Sequence, residues 1–258
     1  MRILLLTFCA AFTLAASQAQ AAGDVKQPKQ ANWSFDGVFG TFDEVAIQRG
    51  LQVYREVCAA CHGMKRVPFR RLTEVGFSPE EVKALAAEYT VTDGPNDEGE
   101  MFDRPAKPSD KFPSPYANEQ QARSLNNGAY PPDLSLIIKA RPNGANYVYS
   151  LLTGYDEQPE HGHHVDLLPG QYYNPYMAGG KIAMPKPMSD GQVEYQDGTE
   201  ASLAQMSKDV VHFMQWAAEP EMEQRKKMGL RVIIFLTIMT VLFYVAMKRV
   251  WASVKKKV

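Results

Sequence analysis

The chain is poor in cysteine, with three among 258 residues. One of them, Cys9, falls in a leader expected to be removed, which leaves Cys58 and Cys61 as the only pair. Two cysteines cannot complete a structural zinc site. Internal repeats are missing, and runs of alternating apolar and polar residues are scarce, so repeat arrays and β-rich folds are poor candidates. Net charge is nearly absent too, with 28 basic and 29 acidic residues. That balance hides an asymmetry. Between positions 22 and 218 acidic residues outnumber basic ones by eight. Such a domain is a poor nucleic-acid binder but can steer a basic protein partner.

What the chain does have is Cys58-Ala59-Ala60-Cys61-His62. Two cysteines separated by two residues and followed at once by histidine form the attachment signature of a c-type haem. The thiols add across the porphyrin vinyl groups, and His62 supplies an axial nitrogen to the iron. This use also leaves neither cysteine for a disulfide. A redox dithiol would call for a βαβ setting, and none is visible around this pair.

Both ends carry membrane-related signals. Residues 1–21 read as a secretory signal: Arg2, an apolar run from Ile3 to Ala16, and a small-residue cleavage site at Ala19-Gln20-Ala21. From Leu230 to Val250 the chain is apolar all round, with an uncharged core from Val232 to Met247, and reads as one transmembrane helix. Lys248, Arg249, Lys255, Lys256 and Lys257 follow without an acid, which places the tail in the cytoplasm by the positive-inside rule. The expected organisation is a cleaved signal at 1–21, an exported domain at 22–228, an anchor at 229–250 and a basic tail at 251–258. The haem domain then lies on the periplasmic side of a cell inner membrane.

The exported part reads as mostly α, one haem domain with long loops. Residues 22–40 suggest an extended arm anchored by Trp33, Phe35, Val38 and Phe39. Thr41 and Glu44 suggest a capping box for a helix from about Phe42 to Val57, with Val45, Ala46, Val53, Tyr54 and Val57 near one face. Gly50 within that helix suggests close contact with another helix. Ser78 and Pro79 open a second helix to Glu88. Residues 92–133 and 155–200 look irregular, and the first holds an acidic run of Asp93, Asp97, Glu98, Glu100 and Asp103. Asp133 or Ser135 begins a helix through Ala140, Gly144–Leu152 gives another, and Ser202–Ala218 is clearly amphipathic.

The position opposite His62 decides what a haem does: a thioether there favours electron transfer, and an open position invites ligands or catalysis. Met206 and Met214 lie on helix faces and read as core, while Met64 is too close to His62 to cross the ring. Met184, in a loop stiffened by Pro185 and Pro187, is the preferred sulfur ligand, with Met177 and Met188 as rivals. His161, His163 and His164 form a cluster with metal-binding chemistry but sit in a Gly/Pro loop, where they are more often incidental. His212 belongs to the surface or packing of the last amphipathic helix.

With these pieces assembled the chain resembles the cytochrome c1 family, the haem subunit of the cytochrome bc1 (ubiquinol–cytochrome c reductase) complex. The resemblance runs from about Trp33 to the tail and rests on an ordered set of stretches. These include Arg49-Gly50, the haem motif, Asp93-Gly94-Pro95-Asn96, Asn126-Asn127-Gly128-Ala129 and Pro131-Pro132-Asp133-Leu134-Ser135. Ser150-Leu151-Leu152-Thr153-Gly154-Tyr155, Asn174-Pro175-Tyr176 and Trp216-Ala217-Ala218-Glu219-Pro220 complete it. The resemblance implies a class I c-type cytochrome-like haem domain with one covalently attached haem c. It implies Met184 as axial sulfur, Arg141 beside a haem propionate and Tyr147 near the same pocket. It implies cytochrome b, a Rieske iron–sulfur protein and a soluble c-type cytochrome as partners, the last docking on the acidic surface. The disulfide of some bacterial relatives has no cysteines here. The expected role is electron transfer within the complex, with no catalysis by this chain alone. The rival readings are a haem enzyme or ligand sensor with an open sixth position, and a membrane cytochrome of another respiratory chain.

Overall fold

The computed structural model describes residues 25–159 and 165–255. The leader, the His161–His164 cluster and the last three residues lie outside them. The fold is mostly helical, as the sequence leads one to expect. Its helical elements are α1 (Glu44–Glu56), 3-10 turns at Cys58–Ala60, Phe69–Val75 and Ala178–Gly180, α2 (Pro79–Ala87), α3 (Glu119–Leu125), α4 (Ile137–Ala140), α5 (Gly144–Leu152), α6 (Leu203–Ala218) and α7 (Met222–Lys255). Two small antiparallel pairs interrupt them: β1 (Thr90–Asp93) with β2 (Phe102–Pro105), and β3 (Tyr172–Tyr173) with β4 (Lys181–Ile182).

α1 packed on α6 is the centre of the core. Ile47, Leu51, Val53 and Tyr54 of α1 are buried against Met206, Val210, Phe213 and Met214 of α6. Gly50 stands at the crossing, where a Cβ would overlap the backbone carbonyl of Asp209, so only glycine permits this approach. The neighbouring Arg49 closes the same crossing with a fork: Nε and Nη2 donate to the two carboxylate oxygens of Asp209 at 2.9 and 3.0 Å. Asp209 is only 1% exposed, and Gln205 Nε2 satisfies it further at 3.0 and 3.1 Å. A buried carboxylate tolerates its loss of water only when paired and bonded in this way. Arg49-Gly50 is therefore one device with two parts, close approach and charge compensation.

Several expectations need correction. The cap of α1 is Asp43, whose side chain accepts from Ala46 N; Thr41 instead donates its backbone N–H to Ser34 O at 3.0 Å. Val45 is exposed, and Ile47 and Leu51 take the core face. Of the arm's four apolar residues only Trp33 and Phe35 are anchors, stacked at 5.4 Å, while Val38 and Phe39 point to solvent. The stretch 92–133 is not irregular throughout, since it holds most of the β1–β2 hairpin and α3. The helix before Arg141 begins at Ile137, later than Asp133 or Ser135. The Ser78-Pro79 start of α2 and the bounds of α5 stand as read, and α6 covers the expected stretch from Leu203 with Ser202 as its cap; Ser78 further closes a capping box with Glu81.

The 34-residue α7 leaves the core through Met222, which is 2% exposed. From Met222 to Ala252 it is long and apolar enough to cross a bilayer, and no part of its most apolar window is buried. A soluble core helix would be covered, so the all-round exposure of Ile233, Phe235, Leu242 and Phe243 fits a membrane anchor.

Candidate functional site: the Cys58–His62 turn and the Met184 loop

α1 delivers the chain straight into the motif. Val57 N still bonds to Val53 O, and a 3-10 turn follows in which Cys61 N and His62 N both donate to Cys58 O at 3.1 and 2.9 Å. Residues three apart eclipse on such a turn, so Cys58 and Cys61 face the same side. Cys58 is half-buried against the core and Cys61 is exposed. Burial, reinforced by the neighbouring Cys61, pushes the Cys58 thiol up to about 12.

The imidazole of His62 is fixed by a distant loop. Its Nδ1 lies 2.8 Å from Pro132 O. A carbonyl only accepts, so Nδ1 carries the proton and Nε2 keeps its lone pair for a metal. Burial lowers the His62 pKa, opposed by the Pro132 bond and the charge of Asp133, and the lowered value favours the neutral, ligating form. The 132–135 segment is itself latched to the motif. Asp133 accepts from Lys65 N at 2.8 Å and from Ser135 N at 2.9 Å. Leu134 N donates to Gly63 O at 2.9 Å, and Arg66 N to Ser135 Oγ at 3.1 Å. Tyr54, buried in α1, donates its hydroxyl to His62 O at 3.1 Å.

The Met184 loop is mounted more lightly. It follows β4, whose Ile182 is buried, and among the described residues one bond grips the Met184 backbone, from Tyr155 Oη to Met184 O at 3.0 Å. An ion pair between Lys186 and Asp156 at 2.6 Å flanks it. The methionine is half-buried against the same core that Cys58, Ala59 and Tyr147 flank. Its rivals have other duties. Met188 is 1% exposed and belongs to the core, and Met177 Sδ accepts from Tyr147 Oη at 3.5 Å. Arg141 is exposed; its one hydrogen bond described is Nη1 to Ala140 O at 3.3 Å, and it has no carboxylate partner among the described residues.

Among the described residues, two thiols on one side of a turn, an imidazole with its Nε2 lone pair available, a thioether with no competing hydrogen bond and an arginine with no carboxylate partner are donors and a cation that fit a haem. Among the described residues no group of histidines, cysteines and carboxylates could hold a bare metal ion. The open groove of about 730 Å³ beside the Phe69–Val75 turn, lined by Arg66, Arg70, Arg71 and Lys111, holds none of these ligands.

Residues 33–254 match the model of the Cytochrome C1 family. The chain belongs to the cytochrome c1 family. It is 53% identical over 227 residues to cytochrome c1 1, heme protein, mitochondrial, of Arabidopsis thaliana, spanning 88% of this chain and 73% of that one. It is 46% identical over 253 residues to cytochrome c1 of Rhodospirillum rubrum, spanning 93% and 92%. A Candida albicans relative, 47% identical over 245 residues and covering 95% of this chain and 84% of that one, is named as a cytochrome b-c1 complex catalytic subunit. Membership in this family implies a haem cofactor.

Against that background the second half of the Pro131–Ser135 stretch gains a physical meaning that sequence reasoning missed. Its signal was visible as a Pro-Pro-Asp string, but nothing in the string says that it closes on His62 70 residues away. Tyr54 and Tyr155 were missed in the same sense. Tyr54 reads only as part of a helix face and Tyr155 only as part of a motif, and each spends its hydroxyl on the backbone of a candidate ligand.

Proposed function

We propose that this chain is the haem-bearing electron-transfer subunit of a cytochrome bc1 complex. It takes one electron from a Rieske iron–sulfur protein and passes it to a soluble c-type cytochrome. Haem c, bound through Cys58 and Cys61, would supply a one-electron iron couple. His62 Nε2 and Met184 Sδ would be its axial ligands, Arg141 would balance a propionate, and Tyr147 would line the same edge. The observation that carries this reading is the His62–Pro132 bond, which holds the imidazole in the ligating tautomer beside two thiols on one turn. A thioether opposite raises the potential and closes the iron to small ligands.

In this reading α7 anchors the chain beside cytochrome b, with the haem domain periplasmic, the leader removed and the basic tail cytoplasmic. The Thr90–Pro105 hairpin, with exposed Asp97, Glu98, Glu100 and Asp103, offers a basic cytochrome an acidic surface that speeds encounter. The test is an optical spectrum of the purified holoprotein with and without carbon monoxide, beside Met184→Leu. Wild type is expected to ignore the gas and to show a sulfur–iron charge-transfer band that the variant loses. Ready binding of the gas by wild type at neutral pH would mean an open sixth position and would favour a sensor or enzyme.

A further inference from the structure

The most exposed large apolar side chain among the described residues is not on α7. It is Phe39, 81% exposed, beside Val38 at 66%. Exposure of this kind on a loose loop would mean little, but this loop is not loose. Thr41 N donates to Ser34 O at 3.0 Å and Asp36 N to Trp33 O at 3.2 Å. The base is pinned by Trp33 and Phe35, each 6% exposed. A closed, well-anchored turn presents two apolar residues to its surroundings, followed by an uncharged Gly40.

The position of the turn identifies what it faces. Glu223 of α7 accepts from Phe42 N at 2.9 Å. One turn nearer the apolar stretch, Lys226 Nζ donates to Gly40 O at 3.1 Å and to Phe35 O at 2.6 Å. From Phe42 back to Gly40 the chain therefore steps along α7 toward its apolar part, and Gly37–Phe39 form the tip beyond. Lys226 stands six residues before Val232, about 9 Å along a helix. A headgroup layer is roughly 5–8 Å thick on each face. The base of the turn thus lies at the outer edge of the headgroup layer, and its tip is apolar where apolar residues gain from an acyl boundary.

We propose that Val38 and Phe39 insert into the headgroup–acyl boundary of the outer leaflet, a second membrane contact that fixes the tilt of the domain on its anchor. This rests on the reading of α7 as a membrane span. One helix alone leaves a domain free to lean; a second contact, tied to that helix through Lys226 and Glu223, removes this freedom. The partner is the lipid surface itself, and the exposed Asp36 before the tip stays on its watery side.

The test uses the full-length holoprotein in phosphatidylcholine vesicles, with a nitroxide at Phe39→Cys, Ile238→Cys or Met101→Cys, one at a time. Collisions with oxygen report lipid, and collisions with a water-soluble nickel chelate report water. Position 238 in α7 calibrates the bilayer, and position 101, exposed on the acidic hairpin, calibrates water. The expected result is that position 39 loses most of the nickel collisions seen at 101 and gains oxygen collisions, as 238 does. If 39 behaves like 101 while 238 reports lipid, the anchor stands and the insertion is wrong. If 238 also reports water, the span reading fails and takes the insertion with it. A label at 39 shielded from both reagents would show a protein contact and would equally overturn the proposal.

Discussion

The two sides of the proposed iron site are built to different standards. On the His62 side, the turn grows out of a helix locked to α6, and five hydrogen bonds tie His62 and its neighbours to Tyr54 and the 132–135 segment. On the Met184 side, among the described residues, two prolines, one hydroxyl bond and one exposed ion pair hold the loop. The contrast follows from the ligands. An imidazole binds a metal correctly only in one tautomer and one ring orientation, so it needs a partner for its other nitrogen. A thioether is symmetric enough to need only placement, and proline stiffness supplies that at little entropic cost. The structure is therefore firm where orientation matters and light where it does not.

Three changes probe this difference. The largest effect is expected from Asp133→Ala, which strips an acceptor from both Lys65 N and Ser135 N. Loss of such charge-assisted bonds costs about 2 kcal/mol, measurable by denaturant unfolding, with a lower yield of haem-loaded protein. Tyr155→Phe removes the hydroxyl bond that grips the Met184 backbone. It should cost about 1 kcal/mol and lower the stability of the sulfur–iron band while leaving the helical signal unchanged. If the two variants prove equal in global stability, the asymmetry is not real.

The smallest effect is a slope with pH. His212 is buried edge-on against the stacked rings of Trp33 and Phe35, and its Nδ1 donates to Lys208 O at 2.9 Å. Burial holds its pKa below the ordinary range, against the raising effects of the Lys208 bond, Asp43 and Asp209. Stability from this site is complete above the unfolded pKa of about 6.5. It falls as pH drops below that value, because the unfolded chain binds a proton that the native core refuses. His212→Gln should flatten the slope of global unfolding there. Release of the Met184 loop, if local, should be indifferent to the change.

Much of this architecture was legible in the sequence. Ser78-Pro79 announces a helix start because the cap and the missing N–H act locally, and Gly50 announces a close crossing because nothing else favours glycine there. The haem motif is legible because its chemistry is contiguous. What stayed hidden is either polar on both faces or remote. The β1–β2 hairpin carries no apolar alternation, since both strands are largely exposed, and pairs through its backbone. The capping-box pattern fits Thr41 better than Asp43, yet the chain uses Thr41 to close the 34–41 turn through its N–H to Ser34 O. Asn118, with Gln121 three residues on, was a readable cap for α3 in a stretch too polar to suggest a helix. The Pro132 carbonyl has no side-chain signature at all, and only the folded chain brings it to His62.

The most direct measurement of the central claim is a denaturant titration of the holoprotein followed by two signals, the sulfur–iron charge-transfer band and the far-ultraviolet helical signal. The uneven mounting predicts that the band disappears at a lower denaturant concentration than the helices, with the haem still held by His62, as expected when the lightly held loop opens locally. Coincident transitions would mean that the Met184 loop is as firmly built as the His62 turn, and the account of a firm side and a light side would be wrong.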